Sequence, residues 1–289
     1  MSTPQRDATL WFDDGNLVLQ AEMTTFKVSR SFICRESEFF AGMHSLDVNP
    51  PPAGGQDGTE ERPLLLLEVS APAFANLLKM LYTVWGAELE FDKEELIAML
   101  RVAHRLLFTG VHAIVAKLLH PLLSSERRLH LGITACGVEE WAFPAFAALV
   151  YAYDVRPENC DPPLAPAPLW GTIYDLRSQI QRSRVRAAKF IASKPIGPVV
   201  SSNVTIEQCS THLSELWSIM TGEVEIVQLR TQLEDMRQRI LAGGSCRCRT
   251  HSSSFVLERV MSGADVGALA DEEDDLVRTA WMSSAQGTS

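Results

Sequence analysis

The sequence predicts an α+β fold: strands and short helices in an opening block, followed by a mostly α-helical C-terminal region. Three observations carry this. Residues 10–43, LWFDDGNLVLQAEMTTFKVSRSFICRESEFFAGM, alternate in twos around a turn and then change to helix-start chemistry. Beyond residue 70 the apolar positions recur mostly at intervals of three and four. The 289 residues are 46% hydrophobic and 21% charged, which suits a buried core in one large domain or two smaller ones.

The opening block reads as strand, turn, strand, short strand and two short helices. Asp13-Asp14-Gly15-Asn16 is turn chemistry, because Gly tolerates φ > 0 and Asp and Asn side chains bond their own backbone. Leu10-Trp11-Phe12 lies before it. After it, Leu17, Leu19 and Ala21 alternate with Val18, Gln20 and Glu22, and Phe26-Lys27-Val28 resumes the extended pattern. Ser29 or Ser31 can cap a first helix, and Ser37 a second one carrying Phe39, Phe40 and Met43.

This block resembles the core of a BTB/POZ domain. In that family a DG turn opens a hairpin, an F-x-V strand follows, and a basic residue leads into two helices ending S-x-x-F-x-x-M. Asp14-Gly15, Phe26-Lys27-Val28, Arg30, and Ser37, Phe40 and Met43 match. The opening LWFDDGNLVLQAE looks most like BTB proteins of basidiomycete fungi. The resemblance covers residues 8–123 and implies the BTB/POZ fold, a small mixed sheet with surrounding helices, and a protein-interaction module. Many members exchange an N-terminal strand and helix across a dimer; only nine residues precede Leu10, which does not suit that long form.

Residues 1–8 are polar and read as loose. Residues 47–63, DVNPPPAGGQDGTEERP, read as a mobile surface insertion, since three prolines and a Gly-Gly hold neither helix nor ladder. In cullin-binding members this region carries a hydrophobic-x-Glu motif; Leu46-Asp47 matches it poorly. Leu64 to Val69 is an apolar run interrupted only by Glu68 and bounded by Pro63 and Ser70, and reads as a strand buried on both faces. Ser70 caps a helix whose Phe74, Leu77, Leu78 and Leu81 form one apolar face, ending in the family's Leu81-Tyr82 pair. Leu89-Glu90-Phe91 reads as a short edge strand. Asp92 with Glu95 is a capping box for the next helix, and residues 111–123 form another.

A helical extension is expected over 124–155, with Pro144 set to kink or split it, then a Pro-rich connection over 156–168. A helical C-terminal region follows over 169–261. Its first helix is basic, with Arg177, Arg182, Arg184, Arg186, Lys189 and Lys194. A solvated face, or one meeting the chain's own acidic segments, fits better than a nucleic-acid face, since no aromatic platform interleaves. Ile226, Leu229, Leu233, Met236 and Ile240 repeat at 3, 4, 3, 4 and are candidates for helical association, within the chain or between copies. Residues 262–289, with Asp271-Glu272-Glu273-Asp274-Asp275, read as an acidic disordered tail.

The net charge of −10 argues against a general nucleic-acid binder. The six cysteines are scattered as reduced thiols, the N-terminus shows no secretory signal and no apolar run is long enough to span a bilayer, so an intracellular protein of cytoplasm or nucleus is expected. His104, His112, His120 and His130 do not fall at ligand spacing, and Cys246-x-Cys248-x-x-His251 lacks a fourth ligand, so neither metal nor cofactor is expected. There is no Gly-rich phosphate loop, G-x-S-x-G or H-E-x-x-H. The reading is a non-enzymatic scaffold that binds protein through the BTB domain, by homo- or hetero-oligomerisation. A substrate adaptor of a cullin ubiquitin ligase and a transcription-linked regulator are the alternatives. Leu10, Trp11, Phe12, Phe39, Phe40 and Met43 are the candidate interaction residues, each weighed against plain core packing, which is favoured for Phe40 and Met43, while Trp11 and Phe39 suit an interface if exposed.

Overall fold

A computed structural model describes residues 4–46, 57–83, 89–134, 136–152, 155–156, 166–193 and 263–286, together with isolated residues between 214 and 238. The chain divides into two compact units. The first is Met1–Ser124 with Leu131–Glu140, and the second is Ser125–His130 with Trp141–Ser289. The extension expected over 124–155 is thus shared between them.

The first unit holds a four-stranded mixed sheet in the order β1-β3-β2-β4. β1 (Gln5–Trp11) runs parallel to β3 (Thr24–Val28), β2 (Leu17–Ala21) pairs antiparallel with β3, and β4 (Leu64–Leu66) runs parallel to β2. The turn at Asp13–Asn16 therefore joins strands that are not neighbours. The hairpin itself is β2–β3, closed by Glu22-Met23 with Glu22 at φ 50°. No Gly or Asn signals that turn; Glu22 is held because its Oε2 accepts from the Ala71 amide at 3.1 Å. Gly15 is required by crowding, as an added Cβ would lie 2.9 Å from Lys27 Cγ and 3.0 Å from the Phe12 carbonyl oxygen.

Residues 5–8, expected loose, belong to β1. Asp7 anchors this strand by accepting from the Thr9 and Leu10 amides at 2.9 Å each. Desolvation pushes the Asp7 carboxyl up, but these bonds and the Thr9 hydroxyl outweigh it and hold the group below its ordinary value.

α1 (Arg30–Glu36) is capped not by Ser29 but by Asn16, whose Oδ1 accepts from the Arg30 amide at 2.8 Å. α2 (Glu38–Leu46) is capped by Ser37 as expected, the hydroxyl accepting from the Phe40 amide at 3.2 Å. The same buried hydroxyl donates to the Leu106 carbonyl at 2.6 Å, tying α2 to the end of a later helix. Ser37→Ala removes a cap and leaves a buried carbonyl short of a donor. A loss of about 1–3 kcal/mol is expected in the urea transition of the first unit.

The insertion is not wholly a free loop. Gly58, at φ 91°, is buried against Leu17, and its carbonyl accepts from the Val18 amide at 2.8 Å. Glu60 bonds Arg6 and Lys27 at 3.0 Å each. Residues 57–63 are thus pinned to the hairpin, and residues 47–56 lie outside the described residues.

β4 departs from expectation too. Leu66 faces the core, but Leu65 in β4 and Leu67 in the turn after it are exposed, and among the described residues β4 is an edge strand with β2 on one side only. α3 (Ala71–Tyr82) buries Phe74, Leu77 and Leu78, with Phe74 edge-on to Phe26 at 5.3 Å. Its Ser70 makes no side-chain cap bond; Glu22 serves that end instead. Residues 89–91 are not a strand. α4 (Lys93–Arg105) starts at the Asp92–Glu95 capping box, and α5 (Thr109–Leu119) packs with it.

α6 (Ser125–Ile133) contributes to both units. In the second unit, Pro144 neither kinks nor splits a helix, since α7 (Ala142–Tyr151) begins just before it and first-turn amides need no intrahelical partner. α8 (Ala167–Ser193) and the last helix, α9 (Gly263–Gln286), complete the unit. α9 is the stretch expected to be a disordered acidic tail. It docks through Val277, Leu276, Ala280 and Trp281 on a core of Phe146, Leu149, Leu169, Trp170 and Ile173. Apolar burial at helical spacing outweighs the acidic composition there.

Candidate protein-interaction surface

The residues singled out in the hairpin and the first helices fall into two groups. Leu10 and Phe40 are core residues, 3% and 1% exposed. Phe40 lies 5.9 Å from Phe108 between ring centroids, so the core reading holds for both. Phe12 is half-buried in an aromatic stack: its ring is 4.7 Å from Tyr82, which is 4.7 Å from Phe32 on the other side. The Tyr82 hydroxyl accepts from the Ser29 amide, and burial pushes that phenol up from its ordinary value.

Trp11, Phe39 and Met43 stay accessible. Trp11 is half-buried under cations: the Arg6 guanidinium lies 4.4 Å and the Lys27 ammonium 5.8 Å from its ring. Glu60 joins the two cations, and the Lys27 ammonium holds its carboxyl below the ordinary value. Phe39 is 40% exposed, edge-on to Phe40 at 5.2 Å. Met43 follows one turn later on α2, half-buried. Phe39 and Met43 thus form an apolar ridge on α2 whose inner neighbour, Phe40, anchors the helix.

The Arg6–Glu60–Lys27 cluster was not legible in the sequence, because its acid comes from the insertion, 33 residues beyond Lys27. Exposed apolar residues outside the block were also missed: Leu65 and Leu67 after the insertion, and Ile114, Leu118 and Leu122 on and after α5. The spacing of the last three could have drawn attention to them.

His104 and His112, on successive helices, are brought together with ring centroids 5.8 Å apart. His112 Nε2 bonds the Cys136 carbonyl at 2.7 Å, and Gly137, at φ 70°, passes directly over His104. Among the described residues no group of three or more His, Cys, Asp or Glu could hold a metal ion. Cys246, Cys248 and His251 lie outside the described residues.

The basic helix α8 turns its central arginines inward. Arg177 donates to the carbonyls of Leu149 and Ala152 at 2.6 Å each and of Val150 and Val155 at 3.3 and 3.1 Å, closing the C-terminus of α7. Arg184 meets Glu273 of α9. Of the heptad-like set, Leu229 and Met236 are fully buried within a single copy, and Ile226, Leu233 and Ile240 lie outside the described residues.

Residues 8–121 match the BTB/POZ domain. The small mixed sheet with its surrounding helices, followed by helices in the second unit, is the architecture of such a domain with a helical C-terminal region. No curated protein and no solved structure is found to match the chain. A BTB/POZ domain is generally a protein-protein interaction module. Among the described residues, no helix is long and apolar enough to cross a membrane.

Proposed function

We propose that the chain is a non-enzymatic scaffold that binds protein, itself or another, through the accessible apolar residues of its BTB domain. The observation that carries this is the exposed Phe39 beside Met43 on α2, while Phe40 and Leu10 are held in the core. An exposed aromatic next to a flexible thioether suits a partner's apolar pocket. Trp11 extends the candidate surface on the sheet, with a cationic cover that would prefer an acidic neighbour.

Nothing specific favours the adaptor reading over this one, as Leu46-Asp47 lacks the glutamate of cullin-binding members. The DNA-contacting reading is weakened by the burial of Arg177 and Arg184, two of the cations it relied on. The burial of Leu229 and Met236 supports packing of their segment within one chain over dimerisation through it.

Light scattering on the full-length chain tests the proposal. Self-association is expected as a dimer mass that falls to the monomer in Phe39→Asp with Met43→Asp. A monomer at all concentrations directs the surface to a different protein, and pull-down should then lose its partners with the same pair of substitutions. Identical behaviour of wild type and variant in both assays rules α2 out as the interaction surface.

A further inference from the structure

The last helix is held to the second unit by less than its neighbours are. α7 buries Ala142, Ala145, Phe146, Leu149 and Val150. Among the described side chains of α9, only Glu273 and Val277 are buried, and Leu276, Ala280 and Trp281 are half-buried. α8 ends at Ser193 and α9 begins at Gly263, so no short connection ties one to the other.

The contacts of α9 fall on successive turns, at Glu273, Val277 and Trp281. Glu273 meets the Arg184 guanidinium through two bonds of 2.8 and 2.9 Å, Val277 enters the apolar core, and Trp281 lies 5.3 Å from the Phe146 ring. The fully buried apolar part of this hold is one valine. The ion pair adds selectivity more than strength, because the attraction within a buried pair is largely offset by taking both charges out of water. Both partners are provided for on release. Glu273 returns to water, and Arg184 keeps the Gly222 carbonyl at 3.3 Å and the Tyr151 ring at 5.9 Å. The core on which α9 docks holds Phe146, Leu149, Trp170 and Ile173, so release uncovers apolar surface.

We propose that α9 is a displaceable strap, and that the α7–α8 face under it receives an amphipathic helix of a partner protein built on α9's own pattern. That pattern is a carboxylate followed on the next two turns by an aliphatic and an aromatic residue. α9 itself displays the chemistry that fits, as a helix of this kind already seated there with its carboxylate matched to Arg184. In the free chain the strap blocks the face, and a partner helix binds in proportion to the fraction of molecules whose strap is off. The site lies in the second unit and does not depend on the α2 ridge.

The probe is a fluorescein-labelled peptide of residues 263–286, titrated by anisotropy against the full-length chain. Val277→Asp in the chain loosens the strap and leaves the peptide unaltered. It should tighten peptide binding at least about tenfold, the scale of one buried aliphatic side chain. Trp281→Ala in the chain keeps the ion pair and should act in the same direction to a smaller extent, which preserves the test where Val277→Asp does not fold. Adding Arg184→Leu to either should abolish the gain, because the peptide's carboxylate loses its partner. In wild type, hydrogen exchange over 271–284 should be faster than over 142–151 and 169–180. The proposal is overturned if neither strap variant binds the peptide more tightly than wild type, if the gain survives Arg184→Leu, or if α9 exchanges only together with α7 and α8. It is also overturned if the chain is a dimer that Val277→Asp dissociates, because the face then belongs to α9 of a second copy.

Discussion

Arg184→Leu is expected to release α9 from the second unit, at a cost of about 3–5 kcal/mol. Arg184 and Glu273 are both fully buried, joined by two parallel bonds of 2.8 and 2.9 Å between guanidinium and carboxylate. Removing the cation leaves a carboxylate in a water-excluded site with no counter-charge, which costs more than the pair contributes when intact. The same reasoning predicts that Arg184→Met with Glu273→Leu comes close to wild type, because both desolvation costs vanish together. Arg184→Lys should fall between them, since an ammonium cannot form the two-pronged bond. The unfolding of a two-unit chain is not a single transition, so the measurement must be local. Hydrogen exchange read over residues 263–286 should lose protection in the single variant and keep it in the double, while the strands at 17–28 are unchanged. Unaltered protection of α9 in the single variant would mean that apolar docking through Val277 and Trp281 holds the helix without the ion pair.

That contact also shows where the sequence could be read and where it could not. The β strands of the opening block, the Ser37 cap, the Asp92–Glu95 box and the apolar face of α3 are local patterns, and the fold keeps them. The misreadings came from long-range partners. The acidic run of α9 looks solvated until Arg184, 89 residues earlier, is placed against Glu273. Of the two readings of the α8 arginines, a solvated face or one meeting the chain's own acidic segments, Arg184 follows the second against Glu273, and Arg177 follows neither, because α7 offers it its terminal carbonyls. The hairpin turn was misplaced because Glu22 takes a left-handed backbone that its sequence does not announce, held there by the α3 terminus 49 residues on. Leu64 to Val69 carries the composition of a central strand, and only the sheet order reveals an edge. In the candidate surface, the sequence reading favours core packing for Phe40 and Met43 and an interface for Trp11 and Phe39, and the structure buries Phe40, exposes Phe39 and leaves Trp11 and Met43 half-buried. Adjacent aromatics in a helix point about 100° apart, which lets Phe39 face outward while Phe40 packs inward.

That sorting gives the second large effect. Phe40→Ala is expected to destabilise the first unit by about 3–5 kcal/mol, the range for truncating a buried aromatic ring. Its ring is 1% exposed and touches the Phe108 and Phe39 rings, and its amide is the one that Ser37 caps. Phe39→Ala removes a ring 40% exposed and should change stability by about 1 kcal/mol or less. Urea unfolding followed in the first unit separates the two. The difference decides how any loss of association is read. If Phe39→Ala abolishes assembly while leaving the unfolding midpoint in place, the effect lies at the interface and the α2 ridge is a contact surface. If only Phe40→Ala abolishes assembly, the loss follows from an unfolded α2 and says nothing of where a partner sits. Equal destabilisation by the two would show that the Phe39 ring is part of the core packing, and α2 would then have no free aromatic to offer.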